Sequence, residues 1–278
     1  MRSESLSSAD FGRLRTLIYA ESGINLNAEK KTMLETRLRR RLNSLNLSSY
    51  SEYCDYVIAR EGQEQELVHL IDAVTTNKTD FFREAGHFDY LVSKALPDLA
   101  SRYGSNRKSF LWSAGCSTGE EAYTLAIVLS EYAEARPAFR FNVLASDICT
   151  AVLEKARKGI FKEEVVSPVP LELRRKYFMR SRDRSAGLLR SVPELRQLIA
   201  FQQINLMESD FDLPERPEII FCRNVIIYFD RPTQVRTLHK LIQKLAPGGY
   251  FFSGHSESLQ GMNLPLVPVG QAVYRKDA

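Results

Sequence analysis

The residues with most chemistry in them begin at Phe110. In FLWSAGCSTGEEAYTLAIVL an apolar strand runs into Gly115, then Ser117, Thr118 and Gly119, and then a helix of good formers. In a parallel sheet such a turn lies beyond the carboxyl end of a strand, where ligands bind. Its glycines let the backbone approach a ligand, and the helix start offers unpaired N–H groups. The charges turn it away from phosphate: Glu120 and Glu121 stand where a diphosphate would meet the helix dipole, and no lysine follows Gly119. Acids there suit a cation, either a sulfonium or an amino group. The plainer alternative is two acids stabilising a helix N-terminus through its dipole.

Three further segments add to this. FNVLASDICTAVLEKAR ends a strand at Asp147, where an acid can take a ribose diol; Asp is also a common helix cap. A sulfonium-compatible turn followed by a ribose-binding acid describes an adenosyl cofactor, S-adenosylmethionine. PEIIFCRNVIIYFDRPTQ delivers Arg223 and Asn224 to a strand end, then Tyr228 and Asp230 before a helix. Amino-group methylases acting on adenine or glutamine place an N-P-P-Y/F tetrad there, and here Val225 follows Asn224, which speaks against nucleic-acid N-methylation. Tyr228 taken alone reads as a half-buried packing residue. In TTNKTDFFRE, Asn77, Thr79 and Arg83 lie at i, i+2 and i+6 where polar groups can border a cleft. The alternative is a helix start capped by Thr79 or Asp80 with Arg83 solvated.

The surrounding patterns supply the elements that must position these residues. From Ser8 to Thr76 the chain reads as four successive helices: one with Phe11, Leu14, Leu17 and Ile18 on a face, a second carrying Met33, Leu34, Leu42 and Leu45, a third opened by Ser48 or Ser51, and a fourth from Glu64 to Ala73. The exposed side of the second holds Lys30, Lys31, Arg37, Arg39, Arg40 and Arg41. Beyond it, apolar runs at Ser109–Trp112, Phe139–Leu144, Ile219–Cys222 and Tyr250–Phe252 alternate with amphipathic helices, and Leu266 to Lys276 reads as a closing strand or hairpin. Strands alternating with helices predict an α/β fold with a mainly parallel sheet. Residues from Gly159 to Ala200, with Pro168, Pro170 and the turn-like SRDRSAG, break that rhythm and read as an insertion. The expected organisation is a helical N-terminal domain over 1–76 and an α/β domain over 77–278, with an inserted β-subdomain at about 160–200.

The bulk numbers exclude other classes. A chain of 278 residues with 44% hydrophobic and 26% charged residues is an ordinary globular protein, and a net charge of +4 does not call for nucleic acid. Cys54, Cys116, Cys149 and Cys222 form no CxxC pair and read as free thiols of a reducing compartment. His69, His87, His239 and His255 have no ligand spacing, so no metal is predicted. MRSESLSSADFGRL lacks the apolar core of a signal peptide, and no run approaches the length of a membrane span, so a cytoplasmic protein without direct membrane insertion is expected.

NKTDFFRE, WSAGCSTGEEAYTLA, ASDICTAVLEKARKGIF and FCRNVIIYFD resemble, in order and spacing, the chemotaxis receptor methyltransferases of the CheR type. The likeness spans essentially the whole chain, KYFMR at Lys176–Arg180 included. It implies a Rossmann-like class I methyltransferase domain that moves the methyl of S-adenosylmethionine to glutamate side chains on chemoreceptor cytoplasmic helices, leaving S-adenosylhomocysteine. The cofactor contacts it implies are Asn77, Thr79, Arg83, Glu121, Asp147, Asn205, Leu206, Arg223 and Asn224, with Arg83 and Tyr228 nearest the reacting groups. The basic second helix would meet acidic receptor helices; a solvated face is the alternative reading. In the family the insertion can dock a receptor C-terminal pentapeptide. SRDRSAG keeps only Gly187 of the glycine-rich loop shown by tethered members, which argues against tethering here. The rival readings are an RNA or DNA methyltransferase, which would bind nucleic acid in a salt-sensitive way, a regulatory module that lost activity, and a NAD-dependent oxidoreductase, for which the turn lacks G-x-G-x-x-G.

Overall fold

The computed structural model describes residues 5–104 and 108–277. Its first helix, α1 (Ser8–Ser22), starts at Ser7, whose Oγ accepts from the Asp10 N–H at 3.0 Å and donates to the Asp10 carboxylate at 2.7 Å. Ser7, rather than Ser8 or Asp10, is therefore the cap. The helix ends at Gly23, whose φ of 72° only glycine adopts without strain. Three more helices follow, α2 (Lys31–Leu45), α3 (Tyr50–Ile58) and α4 (Arg60–Val74). Phe11, Leu14 and Ile18 of α1 pack with Leu34, Leu38 and Leu42 of α2, and with Tyr53, Val57 and Leu70, into a core of their own.

The packing corrects the expectation that all the cations of α2 face solvent. Arg37 turns inward and donates to the carbonyls of Ala73, Val74 and Thr75 at 2.8–3.2 Å, satisfying the otherwise unpaired end of α4. Arg41 makes two hydrogen bonds of 2.8 and 2.6 Å to Glu66, which is 1% exposed and also accepts from the Tyr53 hydroxyl. Lys30, Arg39 and Arg40 remain exposed.

No helix begins at Thr79 or Asp80. The chain is extended or turned until α5 (Gly86–Tyr90), which passes through a π-turn at Leu91–Ala95 into α6 (Leu96–Tyr103). The α/β part then runs β1 (Lys108–Ala114), α7 (Glu120–Glu134), β2 (Arg140–Asp147) and α8 (Thr150–Lys158). An inserted three-stranded antiparallel sheet follows, made of β3 (Ile160–Lys162), β4 (Phe178–Arg180) and β5 (Leu188–Ser191), with short helices α9 (Glu163–Val166), α10 (Leu171–Tyr177) and α11 (Pro193–Arg196). The main sheet resumes with β6 (Ile199–Gln203) and β7 (Ile219–Cys222), then α12 (Arg231–Lys244), β8 (Tyr250–Ser253) and the hairpin β9 (Leu266–Gly270) and β10 (Val273–Lys276).

The seven main strands lie in the order β6-β2-β1-β7-β8-β10-β9, parallel except for β10. Because β1 has β2 on one side and β7 on the other, the strand order reverses at β1, and the crevice at its carboxyl end is the place such sheets offer a ligand. One apolar layer, with Phe81, Phe88, Leu125 and Leu129, covers one face of the sheet; a second, with Leu238, Leu241 and Ile242 of α12, covers the other.

The helical unit is tied to the sheet by polar bonds at several points. Asp72, near the end of α4, accepts from the N–H groups of Thr150 and Ala151 and from the Thr150 hydroxyl at 3.0–3.2 Å, capping α8 from outside. Tyr19 donates to Asp230 at 2.7 Å. Among the described residues no helix is long and apolar enough to cross a membrane.

Replacing Arg41 by Ala strands the buried Glu66 carboxylate, and should lower unfolding free energy by about 3 kcal/mol. Arg40→Ala should leave it within about 0.5 kcal/mol. Chemical denaturation of the two variants checks this, and equal stability would show that the Glu66 pair carries nothing.

Candidate active site

At the carboxyl end of β1 the chain enters a turn that only particular residues permit. Gly115 has φ +87°, and a Cβ there would lie 2.3 Å from Cγ2 of Val225. The N–H groups of Gly115 and Cys116 both donate to the Ser146 carbonyl, at 2.7 and 2.8 Å, fastening the turn to β2. Ser117 takes a left-handed φ of 49°, which aims its N–H at Asp147 Oδ2, 2.8 Å away. The other oxygen of Asp147 accepts from Cys149 N–H at 3.0 Å. Asp147 is thus not the residue that caps α8; it is a buried carboxylate gripped by the backbone of two turns. Each carboxylate oxygen carries a further lone pair, so the group can still accept from a vicinal diol. Burial pushes its pKa up, and the Cys149 and Ser117 N–H groups work against that rise.

The two acids that open α7 separate in role. Glu120 is buried and bonded to the Thr118 hydroxyl at 2.6 Å, outside the cavity lining. Glu121 lines the cavity, accepts from Ser113 Oγ at 2.7 Å, and meets Arg223 Nη1 at 3.2 Å. Arg223 leaves β7 with its side chain only 2% exposed. Its Nη2 and Nε reach Glu84 at 3.0 and 3.3 Å, and Nη2 also donates to the Arg83 carbonyl. Burial raises the Glu121 pKa and Arg223 opposes it; Glu84 meets the same burial, but Arg223 holds it below the usual carboxylate range.

Past Arg223 the backbone turns sharply. Asn224 sits at φ 58° and Val225 at φ −111°, so three successive N–H groups point inward. This is an anion-binding nest, and Glu257 fills it: its carboxylate accepts from Asn224 and Gly254 N–H at 2.9 and 2.6 Å, and from Val225 and Ile226 N–H at 2.9 and 3.0 Å. The clamp joins the ends of β7 and β8 and sets the course of the chain to Tyr228.

These segments enclose a cavity of about 1020 Å³, its open mouth included. Asn77, Thr79, Arg83, Glu121, Asp147, Asn205, Leu206, Arg223, Asn224 and Tyr228, separated by up to 151 residues in the chain, all line it. They are not equivalent. The Asn205 side chain is engaged internally, Nδ2 donating to the Glu21 carbonyl at 2.6 Å and Oδ1 accepting from Met207 N–H at 2.9 Å. Asn77 donates to Thr75 Oγ1 at 3.0 Å, and its carbonyl accepts from Ser117 Oγ at 2.9 Å. The Arg83 side chain makes one hydrogen bond among the described residues, to the Lys78 carbonyl at 3.3 Å, and no ion pair with a described acid. The Tyr228 hydroxyl likewise has no partner among the described residues.

The sequence reading did not single out Ser22 and Ile24, which line the cavity from the helical unit, nor Glu84, nor Glu257. Glu84 lies in NKTDFFRE and Glu257 two residues after His255, so adjacency to a motif was the available signal. The structure also brings together His87 and His255, whose ring centroids are 4.8 Å apart beside Glu84. Burial and the neighbouring Arg223 push the His87 imidazole down to about 4. All four cysteines are free and buried.

The CheR methyltransferase S-adenosylmethionine-binding domain matches residues 77–274, and the CheR all-alpha domain matches residues 9–75. The chain belongs to the CheR methyltransferase family. Among its relatives, Chemotaxis protein methyltransferase 2 of Pseudomonas aeruginosa is 42% identical over 268 residues, covering 95% of this chain and 92% of the relative. The chemotaxis protein methyltransferase of Salmonella typhimurium is 42% identical, covering 97% and 90%, and that of Escherichia coli K12 is 41% identical, covering 97% and 91%. This CheR-family chain is therefore an S-adenosylmethionine-dependent methyltransferase, and its cavity fits that cofactor. A carboxylate with lone pairs to spare stands at the end of β2, and apolar walls of Ile148, Ile204 and Phe229 lie around it.

Gly115→Ala should cost about 1–2 kcal/mol from the left-handed backbone alone. By displacing Val225 it should also weaken S-adenosylmethionine binding. Denaturation and calorimetric titration read the two effects; unchanged affinity would mean that the turn does not shape the cofactor's site.

Proposed function

We propose that this methyltransferase esterifies glutamate side chains on the cytoplasmic helices of methyl-accepting chemoreceptors. The observation that carries this reading is Arg83, a cavity-lining cation that no described acid neutralises, facing the same space as the Tyr228 hydroxyl. Arg223, also in the lining, is saturated by two glutamates and has no charge to spare for a substrate. Names of relatives as chemotaxis protein methyltransferases support the same partner.

Bound in the cavity, S-adenosylmethionine supplies a methyl group made electrophilic by the adjoining sulfonium. The Asp147 carboxylate is placed to receive the ribose diol. Glu84, Glu121 and Arg223 together carry one net negative charge, which suits the ammonium of the methionyl part at Glu121. An acceptor glutamate has a reference pKa near 4.3 and is already a nucleophile at neutral pH, so the enzyme needs no general base. Its work is to orient and to exclude water, because charge disappears along the path and solvation of the carboxylate opposes it. Arg83 steers the incoming carboxylate by charge-assisted hydrogen bonds, and Tyr228 orients it through its hydroxyl. A single contact of this kind aligns the acceptor without holding it in the ground state more tightly than in the transition state.

The exposed cations at the start and along α2, Lys30, Arg39 and Arg40, face outward and suit an acidic receptor helix. The turn between β4 and β5 keeps one glycine, Gly187, and tethering through a receptor pentapeptide is not part of this reading.

Labelled methyl transfer to receptor-containing membranes followed by mild alkali tests the proposal: ester methyl leaves as methanol, and alkali-stable label would refute esterification. Arg83→Ala should lower kcat/KM by about 100-fold and Tyr228→Phe by about tenfold, both with normal folding. Asp147→Asn should instead raise the Kd for S-adenosylmethionine by about tenfold. Wild-type turnover in folded Arg83→Ala would remove its assigned role. For docking, Lys30→Ala with Arg40→Ala should raise the KM for receptor several-fold at low salt, a difference that shrinks as salt screens the surface; a salt-independent KM would exclude an electrostatic interface.

A further inference from the structure

Beside the cofactor cavity, Glu84, His87 and His255 each bring one ligand-capable atom to within 4.8 Å of the others. Glu84 comes from the turn before α5, His87 from the first turn of that helix, and His255 from the loop after β8. None of the histidines takes part in the reaction described above. The ring of His87 is 1% exposed, and its Nε2 lies 3.1 Å from the Gln271 carbonyl oxygen. A carbonyl only accepts, so Nε2 carries the proton and Nδ1 presents a lone pair. That buried Nδ1 has no hydrogen-bond partner among the described residues and faces Glu84 Oε2 at 3.5 Å. Two acceptors thus confront each other, the buried Nδ1 and a Glu84 oxygen that Arg223 already holds. A cation with directed bonds would satisfy the orphaned Nδ1 and share Glu84 Oε2 with Arg223.

We propose that Glu84, His87 and His255 form a site for a divalent transition metal, with zinc as the best match. Two imidazoles and one carboxylate are a zinc donor set with a fourth position left for water. The Nε2–H bond of His87 to a carbonyl is the outer-shell contact that fixes the tautomer of metal-binding histidines. His255 is the exposed arm: its side chain is 37% exposed and its Nε2 stands 3.9 Å from Glu84 Oε2. Zinc bonds to nitrogen are about 2.0–2.1 Å long, so this ring closes onto the metal by side-chain rotation, while His87 is already aimed. The site has a built-in competitor. Arg223 holds the same Oε2 of Glu84 at 3.0 Å, so a metal and Arg223 share that carboxylate. Arg223 in turn holds Glu121 in the cavity wall, and metal occupancy is therefore coupled to cofactor binding, reciprocally.

The test uses the full chain and zinc alone, titrated against a chromophoric chelator, so its outcome is independent of which protein is methylated. Saturable binding of a single equivalent is expected, and the exposed-residue variant His255→Ala should weaken it by at least about tenfold. Cobalt(II) in place of zinc should give visible d–d bands without a thiolate charge-transfer band. Absence of saturable binding, an affinity unchanged in His255→Ala, or a thiolate signature would each overturn the site. The Kd for S-adenosylmethionine, measured with and without saturating zinc, should rise by at least about fivefold. Equal values would overturn the coupling.

Discussion

Arg223 is the interaction on which the site depends. Its guanidinium joins the strand end of β7 to Glu121 at the start of α7 and to Glu84 in the turn that follows the helical unit. These three segments are otherwise far apart in sequence, and the cofactor cavity lies where they meet. A buried ion pair is weak evidence of stability, because desolvation offsets much of the attraction. What such a cluster supplies is position. With two carboxylates around one guanidinium, Glu121 is held by hydrogen bonds on both sides, from Ser113 and from Arg223, and cannot swing away from the cavity. The Glu257 clamp does the same for the backbone, filling the nest at 224–226 with the chain's own anion. One cluster fixes charge and the other fixes direction.

The distribution of cations follows from that arrangement. Arg83 and Arg223 both line the cavity, yet one is free to meet an anion and the other is spoken for. On α2 the same division recurs, with Arg37 closing the end of α4 and Arg41 locked to Glu66, while Arg40 faces solvent. The residue type is the same in every case. The difference lies in which carboxylate or carbonyl the fold brings alongside, and that decides whether an arginine is structural or available.

This also explains what could be read from the sequence. The turn Gly115–Gly119, the acid at Asp147 and the strand end at Arg223 declare themselves because each is a local pattern: an apolar run, a change of period, a polar residue at the boundary. The parallel sheet was legible for the same reason. Strand β6, IAFQQ, was not, since an edge strand with one fully buried residue has no apolar run to betray it. The roles of Glu84 and Glu257 and the inward turn of Arg37 and Arg41 were beyond reach, because Arg223, the nest at 224–226, the end of α4 and Glu66, which give them those roles, each lie at least 25 residues away and only packing selects them. The cap of α1 was misplaced, by one residue if Ser8 is taken and by three if Asp10 is, because Ser and Asp both suit the position and only the backbone turn picks Ser7.

The helical unit is more than an appendage to this site. Ser22 and Ile24 form part of the cavity wall, and the chain around them is pinned by Asn205 to the Glu21 carbonyl and by the Asn25 N–H to the Tyr228 carbonyl. Tyr228 is thus held from two directions, its backbone by the helical unit and its approach by the Glu257 clamp. Asn205, with its amide spent on Glu21, acts through the position of that wall. Its neighbour Leu206 adds an apolar surface and a carbonyl that anchors Lys240 at 2.6 Å. Since both units line one cavity, any displacement between them changes the space around Tyr228 and Asp147 together.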